Sequence, residues 1–350
     1  MKKQFLKFVP AFTLLVTGSM LFSSCEPEGT TYTGNVEPAF TDGFLVTSEG
    51  QFQKGNGDVT FIEKGGKNVI QDLFAKVNSR PAGDIIQSMA FSDVNGYIIA
   101  NNSAKIEVVN ARTFKSTGVI GNLKQPRYML VANNTGYVTE HVAYGVPGQV
   151  SVIDLGNNTV IKTLPAGIAP ERMVLLNNKL YVANSGDNFI SVINTNTNLV
   201  EDSIMVTAGP GNLIVDANNK IWALSAMSFS GNAGALSRIN PATNKVEFTL
   251  DFTEPTNAFR SDLKTNAPRN TLYFSYAGKV YKRGITETNL PTPFINRDFY
   301  SIAIDPENKM FYGGAALDMV SRGRVVMYNA SGLAVDSVTV GIAPNDFYFR

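Results

Sequence analysis

Residues 170–210 read PERMVLLNNKLYVANSGDNFISVINTNTNLVEDSIMVTAGP, and this stretch decides the fold. Arg172–Leu176 is a short apolar run, Asn177-Asn178 a two-residue turn, and Leu180-Tyr181-Val182-Ala183 a second run. A loop, Ser185-Gly186-Asp187-Asn188, leads to a third run, Ile190-Ser191-Val192-Ile193. After a turn at Asn194–Asn198, the more polar Val200–Val206 completes the unit. Four short antiparallel strands in about forty residues make one blade of a β-propeller.

Working outward, the signature of the second strand recurs at Leu45, Tyr97, Tyr137, Tyr181, Ile221, Tyr273 and Phe311, with steps of 38 to 52 residues. Seven copies predict an all-β, seven-bladed propeller over residues 44–350. An alternating helix and strand enzyme would carry long amphipathic stretches, and the chain has almost none. Val69–Val77 admits two readings: a helix with Val69, Leu73 and Val77 on one face, or the outer strand of the first blade. The repeat favours the strand. The first blade lacks an inner strand before Phe44, whereas Ala343-Pro344-Asn345-Asp346-Phe347-Tyr348-Phe349-Arg350 has a turn and a strand with nothing after it. The two ends of the chain are therefore expected to share one blade, which leaves no open sheet edge.

Ahead of the repeats, Lys2, Lys3 and Lys7 precede an apolar run from Phe8 to Phe22 and the small residues Ser23 and Ser24. This is the pattern of a removable export signal, residues 1–24, and the run is short for a membrane span. Cys25 is the only cysteine, so no internal disulfide forms. Leu21-Phe22-Ser23-Ser24-Cys25 resembles the lipobox of bacterial lipoproteins, which implies acylation of Cys25. Residues 25–43, rich in Glu, Pro, Thr and Gly, read as a solvated tether. Glu26 and Glu28 just after the cysteine resemble the surface-export signal of some gram-negative lipoproteins.

Across 350 residues, 44% hydrophobic composition is ample for a large core, and 30 basic against 29 acidic residues give a net charge of +1. No strong field draws the protein to nucleic acid or an anionic membrane, so membrane contact is expected through the lipid anchor only. His141 is the only histidine, which excludes a His/Cys metal cluster, and no nucleophile-elbow or Walker-type sequence is present. No cofactor is expected. Asp187, Asp216, Asp305 and Asp346 stand at strand ends, where capping of turns accounts for most Asp residues and catalysis at a channel mouth is the alternative.

Binding has more support. Loops joining second to third strands share one face with the turns that lead into inner strands. The first set carries Phe52, His141, Tyr144, Asn188, Phe229, Tyr276 and Leu317-Asp318-Met319; the second carries Arg127, Arg172, Arg260, Arg297 and Asp298. Aromatic and Met side chains among polar ones suit a large amphipathic ligand, and forked arginines can grip amides, phosphates or carboxylates.

The strings Lys179-Leu180-Tyr181-Val182-Ala183-Asn184 and Ile190-Ser191-Val192-Ile193-Asn194, followed by Thr197 and Val200, resemble the YVTN family of propeller repeats. A lipoprotein propeller of this kind is similar to the cobalamin-capturing propeller lipoproteins. That resemblance implies surface exposure at the outer membrane, corrinoid capture and delivery to a TonB-dependent outer-membrane transporter, without enzymatic activity. Two other functions stay open: a carboxylate- or calcium-dependent lactonase or lyase, and a protein-binding envelope scaffold.

Overall fold

The computed structural model describes residues 39–66, 68–226, 233–255 and 260–350. One compact unit runs from Pro38 to Arg350. It contains seven four-stranded antiparallel sheets, the blades of a β-propeller. Blade 4, the unit read first from the sequence, consists of Pro170–Leu176, Lys179–Asn184, Phe189–Asn194 and Leu199–Met205. Asn177 and Asn178 join its first two strands with φ of 52° and 59°. Two consecutive positive φ values match the strand twist, and asparagine tolerates them.

Burial runs outward through each blade. The second strand Lys179–Asn184 is covered on both faces after its first residue, whereas the outer strand Leu199–Met205 is exposed except at Ile204. The core therefore lies between blades. Tyr97 and Ile99 of blade 2 pack with Val138 and Ile153 of blade 3, and Tyr312 and Met327 of blade 7 pack with Phe44 and Phe347 of blade 1. The tyrosines of the repeat signature also reach across. Tyr137 donates to Asn198 Oδ1 in blade 4 at 3.1 Å, and Tyr181 donates to Asn244 Oδ1 in blade 5 at 3.3 Å.

Closure occurs in blade 1, where Pro344–Phe349 is the inner strand beside Gly43–Ser48, Asp58–Glu63 and Val69–Ile70. Phe44 pairs with Phe349 and Val46 with Phe347, as the ends of the sequence suggest. The segment Val69–Val77 is a strand only at Val69–Ile70; Leu73–Asn78 is an α-helix that buries Leu73 and Phe74 in the core between blades 1 and 2, with Phe61, Ile98 and Phe114. The strand reading thus holds for Val69–Ile70 and the helix reading from Leu73 onward, with Gln71 and Asp72 between them. No helix among the described residues is long and apolar enough to cross a membrane.

Candidate functional site at the channel mouth

The seven inner strands surround a central channel, and several of them begin with the same irregularity. Pairing slips between Pro126 and Met129, Pro170 and Met173, Pro210 and Asn212, Ile86 and Ser88, and opposite Thr47 and Ser48 on the closing strand. A bulge releases residues from the ladder and re-aims their side chains. The released residues are Arg127 and Tyr128, Glu171 and Arg172, Gly211, Gln87, and Asn345. All but Gly211 have side chains that meet around the mouth.

Three ion-pair clusters result. Arg127 grips both carboxylate oxygens of Glu171 through Nε and Nη2 at 2.9 to 3.2 Å and donates to Gln87 through Nη1. His141 Nε2 lies 3.2 Å from Glu171 Oε1. Arg172 and Lys264 each reach Asp346 at 2.9 Å, on different oxygens, and the Tyr348 hydroxyl donates to it at 3.1 Å. Arg260 pairs with Glu49, which also accepts from Tyr300 at 2.7 Å. The Arg172 and Arg260 guanidinium groups stack over Tyr128 at 4.4 Å and Tyr300 at 4.1 Å. The Asp346 cluster borders a cavity of about 220 Å³, polar at Tyr128, Arg172, Lys264, Asp346 and Tyr348 and apolar at Met89, Met173 and Leu213.

Burial raises the acidity threshold of both buried carboxyls, but the cations outweigh it: Arg127 leaves Glu171 below its ordinary range, and Arg172 with Lys264 holds Asp346 well below. Burial pushes the Tyr128 and Tyr348 hydroxyls up, so both stay protonated. These carboxylates are ionised and occupied, which is the opposite of a general base poised near neutrality.

The expected site residues divide accordingly. Arg127, Arg172 and Arg260 do stand at the mouth, but each is already paired with a carboxylate, so the expected grip on a phosphate or carboxylate ligand has no free guanidinium in these three. Phe52 is 64% exposed and Tyr144 94% exposed, on loops that the strand order places at the mouth. Asn188 and Arg297 are exposed, with the Arg297 guanidinium 5.3 Å from the Phe299 ring. Tyr276 differs from expectation: it is 4% exposed, stacks on Phe252 at 4.1 Å and donates to the Glu254 carbonyl. It closes the core of blade 6 because a two-residue turn, Ala277-Gly278, leaves no loop there. Phe229 and Cys25 lie outside the described residues.

Leu317, Met319, Val320 and Val146 join Phe52 and Tyr144 as exposed apolar side chains on these loops. The Phe52 loop is held in shape by Asp84, which accepts from the backbone N–H groups of Gln53 at 2.8 Å and Gly55 at 3.2 Å. Gln53 and Gly55 both have a φ of 63°, so the carboxylate stabilises a concave loop that would otherwise be strained at Gln53. Of the acids considered from sequence, Asp216 caps a turn, accepting from Asn218 N and Lys220 N and from Trp222 Nε1 at 2.8 Å. Asp305 caps another, at Glu307 and Asn308. Glu49, Tyr128, Glu171, Lys264, Tyr300 and Tyr348 were not anticipated. For Tyr128, Glu171 and Tyr348 the available signal was the recurrence of Pro opening an inner strand, at Pro126-Arg127, Pro170-Glu171-Arg172, Pro210-Gly211-Asn212 and Pro344-Asn345-Asp346; Glu49, Lys264 and Tyr300 stand outside that pattern.

The chain belongs to the family described as a domain of unknown function (DUF5074), whose model matches residues 42–344. No curated protein matches it. Among solved structures, a quinonprotein alcohol dehydrogenase-like protein from Bacteroides thetaiotaomicron is similar at a TM-score of 0.66 and 14% identity, over 89% of this chain and 79% of that one. A 6-phosphogluconolactonase-like protein from Bacteroides fragilis gives 0.64 and 13%, over 91% and 99%. Hydrazine synthase from Kuenenia stuttgartiensis gives 0.57 and 18%, over 75% and 92%. At these identities the likeness is one of fold.

Proposed function

We propose that this DUF5074 protein is a ligand-capture lipoprotein, anchored through Cys25 at the outer membrane, that binds a large amphipathic molecule across the channel mouth. The observation that carries the reading is the set of exposed apolar side chains, Phe52, Tyr144, Leu317, Met319 and Val320, on the mouth-end loops of blades 1, 3 and 7. Exposed Phe, Tyr, Leu and Met grouped on one loop face are a signature of binding surfaces. The pairing of Arg127, Arg172 and Arg260 selects against a strongly anionic ligand, because such a ligand would have to displace a buried carboxylate. A neutral molecule with an apolar body and a fringe of amides suits this surface. A corrinoid has that chemistry, and the resemblance to cobalamin-capturing lipoproteins puts cobalamin first. Delivery to a TonB-dependent transporter is then the role of the complex.

The ionised, occupied state of Glu171 and Asp346 favours binding over the lactonase or lyase alternative. The test is a titration of the purified protein with cyanocobalamin followed by calorimetry. Saturation with one ligand per chain supports capture; absence of any heat at micromolar to millimolar ligand removes cobalamin.

A further inference from the structure

A second cavity, of about 380 Å³, opens between blades 7 and 1 at the end of the ring opposite the mouth. We propose that it is a binding site for a small organic cation of the alkylammonium class. Phe44, Tyr312 and Phe349 form its aromatic wall, with ring centroids 5.0 Å apart for Phe44 and Tyr312 and 5.6 Å for Tyr312 and Phe349. Met310 and Met327 add polarisable thioethers. Aromatic surface of this kind attracts a cation that sheds water easily, which a trimethylammonium group does and a metal ion does not.

The charges at the rim agree. Asp305, Glu307 and Asp336 line the cavity against Lys64 and Arg350. Arg350 is turned away: its guanidinium lies 4.3 Å from the Phe91 ring and donates to the Ala111 carbonyl on blade 2. Lys64 is bound to Glu307 across the opening, from blade 1 to blade 7, and both partners are exposed. Such a pair is weak and opens readily. An entering cation replaces Lys64 as the partner of Glu307 while its alkyl groups contact the rings. Among the described residues, an anion would meet Asp305 and Asp336 with no cation at the rim left unengaged to receive it.

The experiment is a calorimetric titration of the full-length protein with choline and, separately, with its uncharged isostere in which a tert-butyl group replaces trimethylammonium. The expected result is saturable choline binding at least tenfold tighter than that of the isostere. Val335→Arg, at an exposed lining position on the outer strand of blade 7, fills the opening with a fixed cation and should weaken choline at least tenfold. Asp336→Asn should weaken it severalfold without adding bulk. No saturable choline binding, equal affinity for the isostere, or parent-like binding by Val335→Arg would each overturn the proposal.

Discussion

Arg172 Nη2 and Asp346 Oδ2 lie 2.9 Å apart across the central channel, although 174 residues separate them in the chain. The contact joins the inner strand of blade 4 to the closing strand of blade 1, and Lys264 brings blade 6 to the same carboxylate. The closing strand thus does more than cover an edge. Its second and third residues tie distant parts of the ring together: Asp346 across the channel, and Asn345 by donating to the Ile86 and Gln87 carbonyls of blade 2, both at 2.9 Å.

Asp346→Asn leaves Arg172 and Lys264 facing a neutral amide in a buried site. The expected loss is about 3 to 5 kcal/mol at pH 7, read from urea unfolding. Because the folded carboxyl titrates well below its unfolded value, its contribution is complete above the ordinary Asp range near 3.9 and fades as pH falls through the folded value. Parent and variant should converge in acid. Equal stabilities at pH 7 would remove the strut.

Asp58 carries the opposite sign. Burial, then the nearby charge of Asp72, pushes its carboxyl up to about 6 from 3.8, and one of its oxygens has no hydrogen-bond partner. Its folded state therefore holds a proton that the unfolded chain releases, so stability falls as pH rises from about 4 to 6. Asp58→Asn should remove that fall and stabilise the protein by up to about 3 kcal/mol at pH 7.5, with little effect near pH 4. Parallel stability curves for parent and variant would contradict this.

Deleting Asn345–Arg350 removes the inner strand of blade 1 and the Phe347 and Phe349 rings that pack on Phe44 and Tyr312. It also leaves the edge of Gly43–Ser48 unpaired and facing the channel. The melting temperature should fall by at least about 10 °C, or the protein should fail to fold. A truncated chain that melts with the parent would show that the ring closes elsewhere.

Tyr137→Phe removes a hydroxyl shared between Asn198 Oδ1 and the Thr195 carbonyl, and Tyr181→Phe one shared between Asn244 Oδ1 and the Pro241 carbonyl, each on the next blade. Each should cost about 1 kcal/mol in denaturant unfolding. Ligand binding at the mouth should be unchanged, since both hydroxyls point to turns at the opposite end of the ring. A binding defect in either variant would place the ligand on the wrong face.

The blades were legible because each second strand is buried on both faces and so reads as an aromatic and β-branched run, as at Tyr181-Val182. Closure was legible because Pro344 opens a strand with no partner after it in the chain. Val69–Val77 was ambiguous for a physical reason: two residues of strand are too few to show a period, and a six-residue helix shows barely one turn and a half. The mouth was half legible. Arg127 and Arg172 could be placed there by repeat position, but their partners are set by how the ring closes, Glu171 on the inner strand of the neighbouring blade and Asp346 on one across the channel, and sequence spacing says nothing of that. Tyr276 misled because a residue at a strand end looks like loop until the turn length is known.

The central claim, that an amphipathic ligand lies on the mouth face, is tested most directly by cyanocobalamin affinity in Phe52→Ala/Tyr144→Ala beside the parent. Both side chains are exposed, so the melt should not move. Each ring in contact with ligand contributes roughly 1 to 3 kcal/mol by burial, so the double variant should bind at least tenfold more weakly than a parent that binds saturably. A parent that binds no corrinoid, or a double variant that binds as the parent does, would contradict the account.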